Sequence, residues 1–172
     1  MKRMNKKGFT LIELLAVIVI MGILMLVAIP AVQRYINNSK GDTYVNTVKE
    51  MVNVVKTSDA AGELVNAGST CNSGTYYVAI TTADSKILES GGKSPYNKTA
   101  NIAGYVKVVV DATTQKHTYS VEVTDGTYGL AATDGTTLAE ISEDALSRAN
   151  VKQVTGTASV PTATGTKTCT IQ

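Results

Sequence analysis

One apolar run near the N-terminus constrains this chain more than any other feature. Residues 9–29 contain a single charged side chain, Glu13, and residues 14–29 contain none. That length is about the ~20 residues that a helix needs to cross a ~30 Å hydrocarbon core. Because a helix satisfies its own backbone groups in lipid, the run predicts a membrane-spanning helix. Four basic residues precede it and predict a cytoplasmic N-terminus: Lys2, Arg3, Lys6 and Lys7.

Two simpler explanations account for only part of this pattern. A secretory signal peptide has the same basic start, but the run is long for one and Ala28-Ile29-Pro30 makes a poor cleavage site. A plain membrane anchor explains the length but not Glu13, because a carboxylate within the apolar region is costly unless it finds a partner. Snorkelling of Glu13 toward the headgroups from the first helical turn is the alternative to such a partner.

A processed subunit accounts for every feature of the run. The residues Lys7-Gly8-Phe9-Thr10-Leu11-Ile12-Glu13, leading into an apolar helix, resemble the cleavage motif of type IV pilins and pseudopilins. The resemblance implies that prepilin peptidase cuts after Gly8 and that the new amine of Phe9 is methylated. It makes Glu13 the fifth residue of the cleaved chain and places Pro30 where many pilins carry a helix-kinking proline. The short leader and Phe9 are similar to the type IVa branch.

Removal of the leader gives Glu13 a natural partner. A carboxylate and an ammonium attract strongly in a low-dielectric helix bundle, and separating such a buried pair strands a charge. We therefore expect Glu13 to pair with the Phe9 amine of a neighbouring subunit and to set the register in which the helices stack.

The length of the chain sets its domain count, and its net charge depends on whether residues 1–8 are present. The chain has 172 residues, enough for one domain beside the long helix. Its net charge of +2 becomes −2 on cleavage, because four positive charges lie in residues 1–8. The bulk charge of the cleaved chain therefore gives no support for nucleic-acid binding.

The two cysteines, Cys71 and Cys169, are candidates for a disulfide. After export they meet a space that permits disulfides. A bridge between them closes a loop of about 100 residues, which the chain-entropy model credits with about 4.7 kcal/mol. Two free buried thiols are the alternative, and the spacing matches no zinc site.

The helical pattern continues beyond Pro30 but becomes one-sided. Pro30 predicts a kink, and Gly41 is a second weak point. The resemblance implies a leader over 1–8, and the sequence pattern indicates an apolar helix half over 9–30, an amphipathic half over 31–66 and a globular β-sheet domain over 67–172. Apolar residues in the second half recur every three or four positions and predict one buried face: Tyr44, Val45, Val48, Met51, Val52 and Val55.

The globular part carries strand signals. Residues 75–82, 105–111 and 117–123 are rich in β-branched and aromatic side chains, and the last two predict an antiparallel hairpin. Val154 and residues 167–171 suggest a further strand. Thr137-x-x-Glu140 matches a capping box and predicts a short helix near 138–149. The fold class is therefore α+β: a long N-terminal helix packed on an antiparallel sheet of about four strands, the pilin fold that the resemblance implies.

No catalytic arrangement is evident in the sequence, and we expect neither an enzyme nor a cofactor. His117 lies mid-strand without a sequence-evident nucleophile or base. Asp125-Gly126 and Asp134-Gly135 indicate turns, since a calcium loop needs more carboxylates at close spacing. A thin basic and aromatic group is the nearest candidate for a binding surface: Lys93, Tyr96, Lys98 and Tyr105.

The function predicted is that of a structural subunit of a type IV pilus. The resemblance implies a single-pass membrane precursor that becomes an extracellular fibre on the bacterial surface, used for adhesion, motility or biofilm formation. Its implied partners are other copies of the chain, prepilin peptidase, an assembly ATPase with its inner-membrane platform, and the membrane before assembly; nucleic acid is not expected for a major pilin. The alternative is a minor pilin or a pseudopilin of a type II secretion or competence system, which shares the motif.

Overall fold

A single long helix opens the fold. The computed structural model of the chain describes residues 9–61, 74–80, 88, 91–133 and 135–159. The helix, α1, runs over Leu11–Ala60 and continues through Pro30. The chain divides into two units, residues 1–39 and residues 40–172, and α1 contributes to both. The predicted long helix is confirmed.

The part of α1 in the second unit is amphipathic, as its sequence period predicts. Lys49 and Asn53 are exposed on one side of it. The opposite face lies in the hydrophobic core together with residues of the sheet, and its members are Tyr44, Val45, Val48, Met51, Val52 and Val55. A stripe at this spacing buries apolar area that would otherwise contact water, which fixes this part of α1 to the sheet.

Every pairing between the strands of the described residues is antiparallel. It contains β1 (Gly74–Ile80), β2 (Ala103–Val110), β3 (His117–Thr124), β4 (Tyr128–Leu130), β5 (Ile141–Ser142) and β6 (Val151–Gln153). The order is β1-β2-β3-β4-β6, and β5 pairs with β3. The three predicted strands and the β2–β3 hairpin are confirmed, while the short β4, β5 and β6 were not predicted as such.

Register in the central hairpin follows side-chain alternation. Val106 lies opposite Val121 and Val108 lies opposite Tyr119. Val106, Val108, Val121 and Val123 are all fully buried. Since a shift of one residue would turn these valines to the other face of the sheet, burial of this face specifies the pairing.

The helix predicted near 138–149 is wrong. This segment forms β5 and two single 3₁₀ turns, Glu143–Ala145 and Arg148–Asn150. The Glu140 carboxylate accepts hydrogen bonds from Lys107 and Ser120, so it is engaged on the sheet surface rather than capping a helix. The backbone of Ala139 donates to Leu130, and Ile141 pairs with Val121. Pairing with the sheet therefore outweighs the local helix signal.

Candidate assembly site on the N-terminal helix

The first turn of α1 is closed by a reciprocal cap between Thr10 and Glu13. The Thr10 backbone N–H and hydroxyl donate to Glu13 Oε2 at 2.8 and 2.9 Å. The Glu13 backbone nitrogen lies 3.4 Å from Thr10 Oγ1, to which it donates. This is the capping-box arrangement, which satisfies backbone donors that a helix start leaves unpaired. The Glu13 carboxylate thus has an intramolecular partner, which the sequence interpretation lacked although Thr10-x-x-Glu13 carries the signal.

Beyond the cap, α1 exposes apolar side chains on every side. Leu15 is 53% exposed and Leu26 is 77% exposed. The helix is long and apolar enough to cross a membrane, and none of its most apolar window is buried within the chain. A soluble monomer rarely exposes a contiguous apolar surface of this size, which marks an interaction surface. The first unit therefore requires lipid or other protein around it.

The far end of α1 is held to the sheet by the carboxylate of Asp59. Its side chain is 4% exposed. His117 Nδ1 lies 2.6 Å from Asp59 Oδ2, the Tyr119 hydroxyl donates to the same oxygen at 2.7 Å, and the Tyr76 hydroxyl donates to Oδ1. These contacts join the last turn of α1 to β1 and β3.

The electrostatics of this group favour an ionised Asp59 among neutral phenols. Burial raises the pKa of Asp59, but the hydrogen bonds from Tyr76, Tyr119 and His117 and the charge of His117 together bring that pKa below its ordinary value. Burial and the neighbouring Asp59 raise the pKa of both Tyr76 and Tyr119. All four side chains are thus engaged in one hydrogen-bond group, which fits a structural role better than a catalytic one. His117, expected mid-strand from the sequence, is the exposed first residue of β3 and belongs to this group.

Comparison with known proteins locates the motif at the start of the chain. Residues 3–29 match the family model described as the prokaryotic N-terminal methylation motif. A fimbrial protein of Pseudomonas aeruginosa is 33% identical over 104 residues, which is 60% of this chain and 66% of that protein. The chain is similar to fimbrial proteins. The match thus spans a little under two thirds of that relative's length.

Two other relatives extend the comparison. The type IV major fimbrial protein FimA of Dichelobacter nodosus is 34% identical over 95 residues, 55% of each chain. Fimbrial protein Q of Moraxella bovis is 36% identical over 77 residues, 45% of this chain and 49% of its own. No solved structure matches at a comparable level of significance. The α+β architecture, a long N-terminal helix with an antiparallel sheet, matches the pilin fold expected from the sequence.

The structure describes some of the predicted site residues of this chain and not others. Phe9 and Glu13 lie at the exposed start of α1, and Pro30 lies within the helix. Gly8, Cys71 and Cys169 fall outside the described residues. Cleavage, methylation and the disulfide therefore remain predictions.

The thin basic and aromatic group does not form the surface that its sequence suggested. Tyr105 is buried, and its hydroxyl donates to Glu122 at 3.1 Å. Tyr96 is stacked on Tyr128 with ring centroids 3.8 Å apart. The Tyr105 ring is thus removed from solvent, and one face of the Tyr96 ring is covered by Tyr128. Neither arrangement favours stacking of nucleic-acid bases on these rings. Within the described residues, no group of three or more His, Cys, Asp or Glu side chains could hold a metal ion.

Proposed function

We propose that this chain is the structural subunit of a type IV pilus. The proposal rests on a contrast along the helix that carries the methylation motif. The first part of α1 exposes apolar side chains on every side, whereas the second part buries one face in its own sheet domain. Burying the first part against other copies removes that apolar area from water and from lipid. The domains would then form the outside of an extracellular fibre.

Processing would precede assembly. In this scheme prepilin peptidase cuts after Gly8, Phe9 is methylated, and an assembly ATPase acting through an inner-membrane platform draws the subunit from the membrane. Pro30 would accommodate bending of the helix during packing. One relative, named as a type IV major fimbrial protein, favours a long fibre over the short one of a pseudopilin.

Two variants test processing. Gly8→Glu puts a bulky charge where the peptidase must approach the backbone, so we expect unprocessed protein and no fibres in sheared surface material. Asn5→Glu adds the same charge within the leader, away from the cleaved bond, and should leave the processed N-terminus intact. A processed N-terminus in Gly8→Glu cells would overturn the proposed cleavage.

The role of Glu13 in assembly is separable from its role as a cap. Glu13→Gln retains an amide oxygen that can accept from Thr10 but removes the charge, whereas Glu13→Val removes both. Pairing with a neighbouring amine requires the charge, so both variants should lose fibres seen by electron microscopy. Normal fibre yield with Glu13→Gln would show that the cap alone suffices and would overturn the intersubunit pair.

We also propose that Cys71 and Cys169 form a disulfide after export. Mass spectrometry of alkylated, non-reduced protein unfolded in denaturant should show no added alkyl groups, and reduction should allow two. Uptake of two groups before reduction would exclude the bridge.

A further inference from the structure

Two charged residues bracket the apolar part of α1. Glu13 lies in its first turn, and the next charged residue along the helix is Arg34. The residues between them, 14–33, cover about 30 Å at 1.5 Å per residue. That is the thickness of the hydrocarbon core of a bilayer. A helix in this position keeps both charges at the two boundaries and none within the hydrocarbon.

At the inner boundary, the cap supplies hydrogen-bond donors to the Glu13 carboxylate. Because Thr10 donates twice to Glu13, the carboxylate satisfies the open end of the helix instead of standing alone in lipid. A negative charge at a helix N-terminus is also favoured by the helix dipole. The unassembled precursor can therefore hold Glu13 at the cytoplasmic surface without a second subunit.

The outer boundary carries the residue types that prefer a headgroup region. Tyr35 directly follows Arg34 and is 75% exposed. Tyrosine is enriched at membrane interfaces because its ring is apolar and its hydroxyl is polar. The planar guanidinium of arginine binds phosphate through paired hydrogen bonds. Val32 and Ile36, on either side of the pair, are 53% and 46% exposed and would lie against the acyl boundary.

We propose that Arg34 and Tyr35 anchor the precursor in the headgroup layer of the outer leaflet, with the Arg34 guanidinium on a lipid phosphate. This deepens the proposed function and rests on it, since it requires a membrane stage before assembly. The anchor fixes residues 14–33 as the hydrocarbon span and stops the helix from sliding inward before extraction.

The absence of tryptophan from the sequence allows a direct test of depth. Precursors with one indole probe each, made by Leu24→Trp, Tyr35→Trp or Asn46→Trp, would be placed in phosphatidylcholine–phosphatidylglycerol vesicles with bromine at defined acyl positions. We expect quenching of the probe at position 24 to be strongest from the bilayer centre. The probe at position 35 should be quenched best by shallow bromines, about 17 Å from the centre along an untilted helix. The probe at position 46 should escape quenching.

The outcomes separate the two proposals. Failure of every bromine to quench the probe at position 24 would show that the chain does not insert, which contradicts the membrane stage of the proposed function. Quenching of that probe from the centre, with the probe at position 35 either unquenched or equally deep, would overturn the anchor and leave insertion intact.

Arg34 is tested in the Tyr35→Trp background. Arg34→Leu lengthens the apolar run, so the probe at position 35 should move toward the deeper bromines and its emission should shift to shorter wavelength. Arg34→Lys retains the charge and should hold the depth. In vesicles of uncharged galactolipid, which lack phosphate, the difference between Arg34 and Arg34→Leu should shrink. An unchanged depth on Arg34→Leu in phospholipid, or an undiminished difference in galactolipid, would exclude the phosphate contact.

Discussion

Asp59 Oδ2 lies 2.6 Å from His117 Nδ1. The contact joins residues that are 58 positions apart and connects the last turn of α1 to the first residue of β3. Since Tyr76 and Tyr119 donate to the same carboxylate, Asp59 gathers three partners from two strands. This group joins the last turn of α1 to β1 and β3.

Loss of the Asp59 carboxylate should destabilise the second unit. Asp59→Ala removes the acceptor for three donors, and we expect the free energy of unfolding to fall by about 2–4 kcal/mol. Urea titration of the detergent-solubilised chain, followed by near-ultraviolet circular dichroism of the tyrosines, measures the loss. Asn53→Ala, on the exposed face of the same helix, is the control and should change stability by less than about 0.5 kcal/mol. Equal stability of Asp59→Ala and wild type would contradict a structural role.

The same carboxylate predicts a pH dependence. The pKa of Asp59 is lowered in the folded chain, so its contribution to stability is full above its ordinary value of about 3.9 and is lost as the pH falls through the folded pKa. Asp59→Asn cannot titrate and should therefore lose less stability than wild type between pH 5 and the acid transition. Parallel acid unfolding curves for the two proteins would show that Asp59 is not linked to folding.

Gly41 is a packing position rather than a weak point in α1. A Cβ at this residue would lie 2.7 Å from Arg148 Cγ and 3.1 Å from Arg148 Cδ. Arg148 also pairs with Asp42 at 3.0 Å, but both side chains are about half exposed, so this ion pair contributes less than about 1 kcal/mol.

A double-mutant cycle should expose this packing. We expect Gly41→Ala to cost about 1 kcal/mol in the wild-type chain, because overpacking exceeds the gain in helix propensity. In an Arg148→Ala background, where the obstruction is gone, Gly41→Ala should stabilise by up to about 1 kcal/mol. Additive effects of the two substitutions in urea titrations would refute the contact as the reason for glycine.

Gly104, the one glycine of the central hairpin, should not be replaceable by a residue with a side chain. A Cβ there would lie 2.0 Å from the backbone oxygen of Glu122, and its φ is +156°. Because backbone cannot yield as a side-chain tip can, Gly104→Ala should cost more than about 3 kcal/mol or abolish folding. Gly126→Ala is the matched control. The φ of Gly126 is +89°, but a Cβ added there would have no non-neighbouring atom within 4 Å, so only about 1 kcal/mol of backbone strain is expected. Similar unfolding midpoints for the two variants would contradict the steric reason.

Sequence periodicity was sufficient to predict the elements that bury one face along several turns or residues. The stripe from Tyr44 to Val55 and the alternation in β2 and β3 reflect one buried face each, so local pattern and packing agree. The short β4, β5 and β6 have two or three residues each, too few to show a period. β5 pairs with β3 and β6 pairs with β4, in each case with residues distant in sequence, which no local pattern encodes.

The group around Asp59 was equally inaccessible from the sequence. His117 and Tyr119 share a face of β3, but nothing local indicates that the end of α1 will place a carboxylate between them. The pattern Thr-x-x-Glu occurs at Thr10, at Thr47 within α1 and at Thr137, and only the first caps a helix. After Thr10 a long apolar helix follows, whereas after Thr137 pairing of Ile141 with Val121 favours a strand.

The cap at Thr10 should slow exchange of the backbone amides in the first turn of α1. Thr10→Val keeps the shape of the side chain but removes the hydroxyl that donates to Glu13 Oε2 and accepts from the Glu13 N–H. The first turn should lose about 1 kcal/mol, so exchange of the Glu13 backbone amide should quicken about fivefold. Amide exchange of the precursor in detergent micelles measures this by NMR, with Thr10→Ser as the variant that retains the hydroxyl and the slow exchange. Equal rates in Thr10→Val and Thr10→Ser would mean that the hydroxyl does not hold the first turn and that the hydrogen bond from the Thr10 backbone N–H to Glu13 Oε2 suffices.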